Sequence, residues 1–125
     1  MTDVKVVDAS AVAAILFGEP AGEAVAERIG EARLVAPTLI AFELANVCLV
    51  KCRRYPDQRD KLLAASALRD RLRVEEVAVD PAEALALAER TGLTVYDATY
   101  LWLARKLGAP LITLDEALQR VAAER

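Results

Sequence analysis

The sequence contains no histidine. Without imidazole, His-based acid–base catalysis, Ser-His-Asp and Cys-His nucleophile systems and imidazole zinc sites are all excluded. Cysteine is scarce too. Cys48 and Cys52, four apart on one apolar segment, read as small core side chains and not as a redox or metal pair. No apolar run approaches the ~18 residues that signal a membrane span. The start, MTDVKVVDAS, lacks the basic region followed by an apolar stretch that marks secretion, so a cytoplasmic protein is expected. Glycine and proline number five each, which excludes disorder and low complexity. Any catalysis has to run on carboxylates, on a metal ion, or on both.

What is present is aliphatic. The 125 residues are 55% hydrophobic, rich in Ala, Val and Leu, and long enough for one domain spanning residues 1–125. The net charge of −3 argues at first against a polyanionic partner, but its distribution is uneven. Between Lys51 and Arg73, eight basic residues face only Asp57, Asp60 and Asp70. That segment is either a surface facing a polyanion or a solvated helix face.

Strand and helix patterns alternate along the chain. Val4–Asp8, Leu34–Ala36, Val74–Val79 and Leu111–Thr113 read as strands. Between them lie apolar helices over 11–17, 21–29 and 39–54, one from Asp57 to about Leu72, and others after Pro81, Thr94 and Asp115. Pro20 suits the first turn of the second helix, and Thr38 the N-cap of the third. This order specifies an α/β fold, a single three-layer α/β/α domain with a central, mainly parallel sheet. Ligands in such sheets bind beyond the carboxyl ends of the strands. The first two helices, Val12–Phe17 and Ala24–Ile29, are candidates for partner contact.

The stretch TLIAFELANVCLV, Thr38–Val50, is apolar at nearly every position and reads as a buried helix. Glu43 interrupts it. None of its helical neighbours, Leu39, Ile40, Asn46 and Val47, is a cation. A buried lone carboxylate must be paired, protonated or bound to metal, so its compensating charge has to come from elsewhere in the fold or from an ion. Asn46, one turn on, could orient it.

Three more acids stand where sites form, each with an ordinary explanation beside the functional one. Asp8 ends the first strand and could cap the following helix, as Ser10 could. Asp97 fits a capping box with Thr94, yet its flanks Val95-Tyr96 and Ala98-Thr99-Tyr100 place it near the interior. Asp115 could be an N-cap, and Thr113 a satisfied edge hydroxyl. Taken together, four converging carboxylates with no paired cation repel one another. The arrangement is tenable around hard divalent ions, one or two Mg²⁺ or Mn²⁺, and such ions support phosphodiester hydrolysis.

Val7-Asp8-Ala9-Ser10, Phe42-Glu43-Leu44-Ala45-Asn46, Tyr96-Asp97-Ala98-Thr99-Tyr100 and Thr113-Leu114-Asp115 occur in the order and spacing of a PIN domain. The small size resembles the VapC-type toxins of toxin–antitoxin pairs. The resemblance implies that Asp8, Glu43, Asp97 and Asp115 bind Mg²⁺ or Mn²⁺, with Ser10, Asn46 and Thr113 orienting ligands or water. It further implies an endoribonuclease acting on single-stranded or looped RNA, a homodimer, and a small antitoxin that blocks the acidic pocket. It offers Lys51, Arg53 and Arg54 a role in steering the RNA backbone. Leu118 departs from the pattern, since an aromatic is frequent there, and this bears on packing.

Two other readings compete. A catalytically silent PIN-fold binding module would keep the fold alone. A receiver-like phosphorylation switch has the same size and strand-end acids, but it needs a Lys near the last strand, where this chain has Thr113-Leu114-Asp115.

Overall fold

Four parallel strands form one sheet in the order β3-β2-β1-β4, where β1 is Val4–Val7, β2 Arg33–Pro37, β3 Glu75–Val77 and β4 Leu111–Ile112. These assignments come from a computed structural model that describes residues 3–124. β1 is central, with Val6 opposite both Val35 of β2 and Leu111 of β4. Val6 and Val7 point to opposite faces and are both fully buried, so both faces of the sheet are covered. The helices fall into two packed groups. α1 (Ala9–Leu16) packs on α2 (Gly22–Ile29) and α3 (Ile40–Arg54), and α3 on α4 (Arg59–Ser66). α5 (Pro81–Thr91) and α7 (Glu116–Ala123) pack on α6 (Val95–Leu107), which lies on β1, β2 and β4. The three-layer α/β/α arrangement expected from the sequence is what forms.

The strand order positions the site. From β1 the chain moves outward through β2 to β3, then returns to the other side of β1 for β4. The carboxyl ends of β1 and β4 therefore flank a topological switch point, where the connections diverge and leave a crevice. Asp8 follows β1, and Thr113 and Asp115 follow β4.

Several local expectations are corrected. Thr38 does not cap α3: it is exposed, and its backbone N–H donates to Val77 O at 3.1 Å. Leu39 is the N-cap and gives no side-chain cap bond. The helix read from Asp57 to Leu72 is broken into a 3₁₀ turn at Pro56–Gln58, α4, and a second 3₁₀ turn at Arg69–Leu72. It ends on Arg73, the one non-glycine residue with positive φ (53°) among those described. Pro20 lies ahead of α2, which starts at Gly22. β3 and β4 are shorter than expected.

α3 is not buried all round. Only Ile40, Leu44 and Cys48, one stripe at four-residue spacing, are buried. Phe42, Leu49 and Val50 of the same helix are exposed. Of the first two helices, Val12, Val25 and Ile29 belong to the core, while Ile15, Leu16 and Phe17 are half-buried and Ala24 and Ala26 exposed. Leu118 is fully buried, so its departure from the family pattern is a packing matter. Cys48 is buried, with its thiol 3.6 Å from Leu62 O, and both cysteines are free.

The α1–α2 corner depends on a missing side chain. A Cβ on Gly22 would stand 2.5 Å from Ala14 O, closer than any real Cβ contact. No described helix is long and apolar enough to cross a membrane.

Candidate functional site

At the switch point the first acid is locked by its neighbours. Asp8 leaves β1 in an extended conformation and caps α1, its Oδ1 accepting from Ala11 N at 3.0 Å and from Ser10 Oγ at 2.7 Å. Its Oδ2 accepts from Thr113 Oγ1. Asp8 thus caps the helix and is buried at the carboxyl end of β1, 6% exposed. Burial raises its pKa above the usual carboxylate value against the pull of these donors, and Asp115 adds to the rise.

Thr113 and Ser10 tie the two strand ends together. The Thr113 hydroxyl donates to Asp8 and accepts from Asp115 N at 3.0 Å, while Ser10 Oγ accepts from Leu114 N at 2.9 Å. Thr113 O accepts from Gln119 Nε2 at 2.7 Å. The two hydroxyls hold Asp8 in place and fix the turn into α7. Asp115 caps α7 through Leu118 N at 2.8 Å and stays exposed to solvent.

Glu43 and Asp97 reach the same edge from the two helix groups. The Tyr100 hydroxyl, on α6, donates to Glu43 Oε1 at 2.5 Å. Burial raises the Glu43 pKa, Tyr100 opposes that, and Asp97 and Asp8 raise it further. Thr94 Oγ1 caps α6 by accepting from Asp97 N at 3.1 Å. Burial raises the Asp97 pKa as well, with Asp115 and Asp8 adding to it and Thr94 opposing. Thr94 therefore caps the helix, but among the described residues no bond from the Thr94 amide back to the Asp97 carboxylate closes a capping box. Asp97 is half-buried, with Val95 and Tyr96 exposed beside it.

Asp8, Glu43 and Asp97 thus each have their pKa raised in part by other acids of the four. None of the four takes part in any ion pair between described residues. Among the described residues, no three His, Cys, Asp or Glu side chains are gathered into a ready ligand set. By chemistry the donors suit a hard divalent cation. All are oxygen, they carry negative charge, and they lack protein cations.

Two residues differ from expectation. Asn46 is exposed, and the hydrogen bond to Glu43 comes from Tyr100. Lys51 is engaged by Glu19 at 3.2 Å and lies 5.5 Å from the Phe17 ring, whereas Arg53 and Arg54 are exposed.

The PIN domain family profile matches residues 5–124, and the chain belongs to that family. It is 38% identical over 120 residues to Ribonuclease VapC3 of Pyrobaculum aerophilum, covering 90% of each chain. Its fold is similar to the crystal structure of PAE2754, also from Pyrobaculum aerophilum, with a TM-score of 0.72 at 26% identity, over 96% of this chain and 84% of that one.

Proposed function

We propose that this chain is a metal-dependent endoribonuclease that hydrolyses RNA phosphodiester bonds, the toxin of a toxin–antitoxin pair. The observation that carries the reading is the group of three part-buried or buried acids, Asp8, Glu43 and Asp97, all raised in pKa and none paired with a cation. Membership of the PIN family and the ribonuclease name of the 38% identical relative support it.

In this reading Asp8, Glu43, Asp97 and Asp115 hold one or two Mg²⁺ or Mn²⁺ ions. When bound, such an ion supplies positive charge at the phosphate and an acidified water as nucleophile. The protein's own part is positioning. Ser10, Thr113 and the Ala11 amide fix both oxygens of Asp8, so it cannot swing away. Tyr100 holds one oxygen of Glu43 and leaves the other free. Asn46, exposed one turn from Glu43, is placed to orient substrate or water. Arg53 and Arg54 offset the repulsion between an acidic edge and an RNA backbone. A homodimer and a cognate antitoxin that covers the acidic edge complete the proposal.

RNA cleavage in Mn²⁺ by the wild type, absent in Asp8→Asn and Asp97→Asn, is the test. The second reading, a silent PIN-fold binding module, draws on the lack of a ready three-ligand set among the described residues. Cleavage by purified wild type that these substitutions abolish would exclude it, and a folded wild type inert on every RNA offered would establish it.

A further inference from the structure

Beside the acidic edge, α3 and α6 form a pocket of about 430 Å³ lined by Phe42, Glu43, Asn46, Val47 and Tyr96 among others. The chain has only two phenylalanines and three tyrosines. Phe42 is 81% exposed and Tyr96 67% exposed, so both stand outside the core. They come from different helices yet line one pocket, and that pocket shares Glu43 with the acidic centre. Its volume lies within the range of small-ligand sites.

We propose that this pocket is a subsite for one unpaired RNA nucleobase, stacked on Phe42 and Tyr96 with Asn46 at its edge. The inference rests on the ribonuclease reading and assigns the pocket its substrate chemistry. A base offers a π-face to each aromatic ring, a contact every base can make. Its edge offers donors and acceptors to the Asn46 amide, which carries both. An aliphatic protein segment seated here would instead leave that amide and Glu43 shut off from water without partners, which is costly. The backbone has a place as well: Arg53 lies seven residues beyond Asn46 on α3, about 10 Å along the helix, and is exposed. Bases in a paired helix have their faces covered, so the subsite also selects single strands and loops.

The experiment compares ten-nucleotide adenosine and uridine RNAs with an abasic ribose-phosphate decamer of equal charge. Binding is measured by fluorescence anisotropy with Ca²⁺ as the divalent ion, for wild type, Phe42→Leu and Tyr96→Leu. Leucine keeps apolar bulk at an exposed position and removes only the ring. The wild type is expected to prefer the RNAs over the abasic decamer by about fivefold or more, the lower range for one stacked base. Each leucine variant should shrink that preference and leave abasic binding unchanged. Equal binding of all three decamers by the wild type overturns the subsite. So does a preference untouched by either variant, and so does a variant that alters only self-association or antitoxin binding, which makes the pocket a protein contact. Cleavage of the uridine decamer in Mn²⁺ is scored in parallel. Loss of cleavage with retained base preference sinks the nuclease reading alone, and cleavage without base preference sinks the subsite alone.

Discussion

The hydroxyl of Tyr100 and the carboxylate of Glu43, 57 residues apart in sequence, are joined by a 2.5 Å hydrogen bond that links α6 to α3. Tyr100 is 1% exposed and has its own pKa raised by burial and by Glu43, so it stays a donor throughout the working pH range. Tyr100→Phe keeps the ring and removes the donor. Urea unfolding should show a loss of about 1.5 kcal/mol, at the low end for a bond to a charged group because water can partly replace it. Mn²⁺ affinity and RNA cleavage should fall with it, because Glu43 is then free to rotate.

Thr113 offers a sharper case because its hydroxyl serves two partners in a fully buried position. Thr113→Val keeps the shape and leaves Asp8 Oδ2 and the Asp115 amide each short of a partner. The expected cost is about 2–4 kcal/mol by denaturation, from two unsatisfied groups at about 1–3 kcal/mol each with some relaxation. Thr113→Ser, which restores the donor, should recover most of it.

In the metal-free protein pH acts on three of these acids in the direction opposite to that of an ion-paired carboxylate. Asp8, Glu43 and Asp97 all have folded-state pKa values above their ordinary ones. Over the window between the ordinary and raised values, the folded state binds more protons than the unfolded state. Stability from these groups is therefore present below the ordinary carboxylate pKa and lost as pH rises through the raised values. In EDTA the melting temperature should fall as pH rises through the raised values, and Asp97→Asn should flatten the fall. Divalent ion should reverse the trend, since it requires the deprotonated acids. A melting temperature in EDTA that climbs over that window and is indifferent to Asp97→Asn would contradict the crowding.

Gly22 tests the packing of the first two helices. Gly22→Ala drives a Cβ against the Ala14 carbonyl, which is backbone and cannot rotate away. A loss of about 1–3 kcal/mol is expected, the usual cost of overpacking. Unchanged stability would mean that the α1–α2 corner opens freely.

Most of the frame was legible in the sequence because period and punctuation are local. Val4–Val7, the Asp80-Pro81 start of α5 and the Gly92 and Gly108 ends of α5 and α6 were all readable there. The burial of α3 was misjudged because apolar composition does not say which side a neighbour occupies. The buried stripe Ile40, Leu44, Cys48 was set by α1 and α4, and Phe42 was left outside. At the site, Asp8, Ser10 and Thr113 were legible as strand-end residues, but the Tyr100–Glu43 bond was not. It depends on how two helix groups meet, which no spacing within either helix encodes. The pairing of Lys51 with Glu19 was hidden for the same reason.

The central claim is that crowded acids at the switch point await a doubly charged cation. Its most direct test is a Mn²⁺ titration at neutral pH followed by melting temperature, for wild type and Asp8→Asn. Asparagine keeps the cap on α1, so the variant should fold and melt in EDTA at or above the wild type. The account expects the wild-type melting temperature to rise with Mn²⁺, as binding to the folded state alone requires, and the Asp8→Asn value to stay flat. A wild type unmoved by Mn²⁺ and Mg²⁺ at millimolar concentration, or a variant that rises equally, would contradict it.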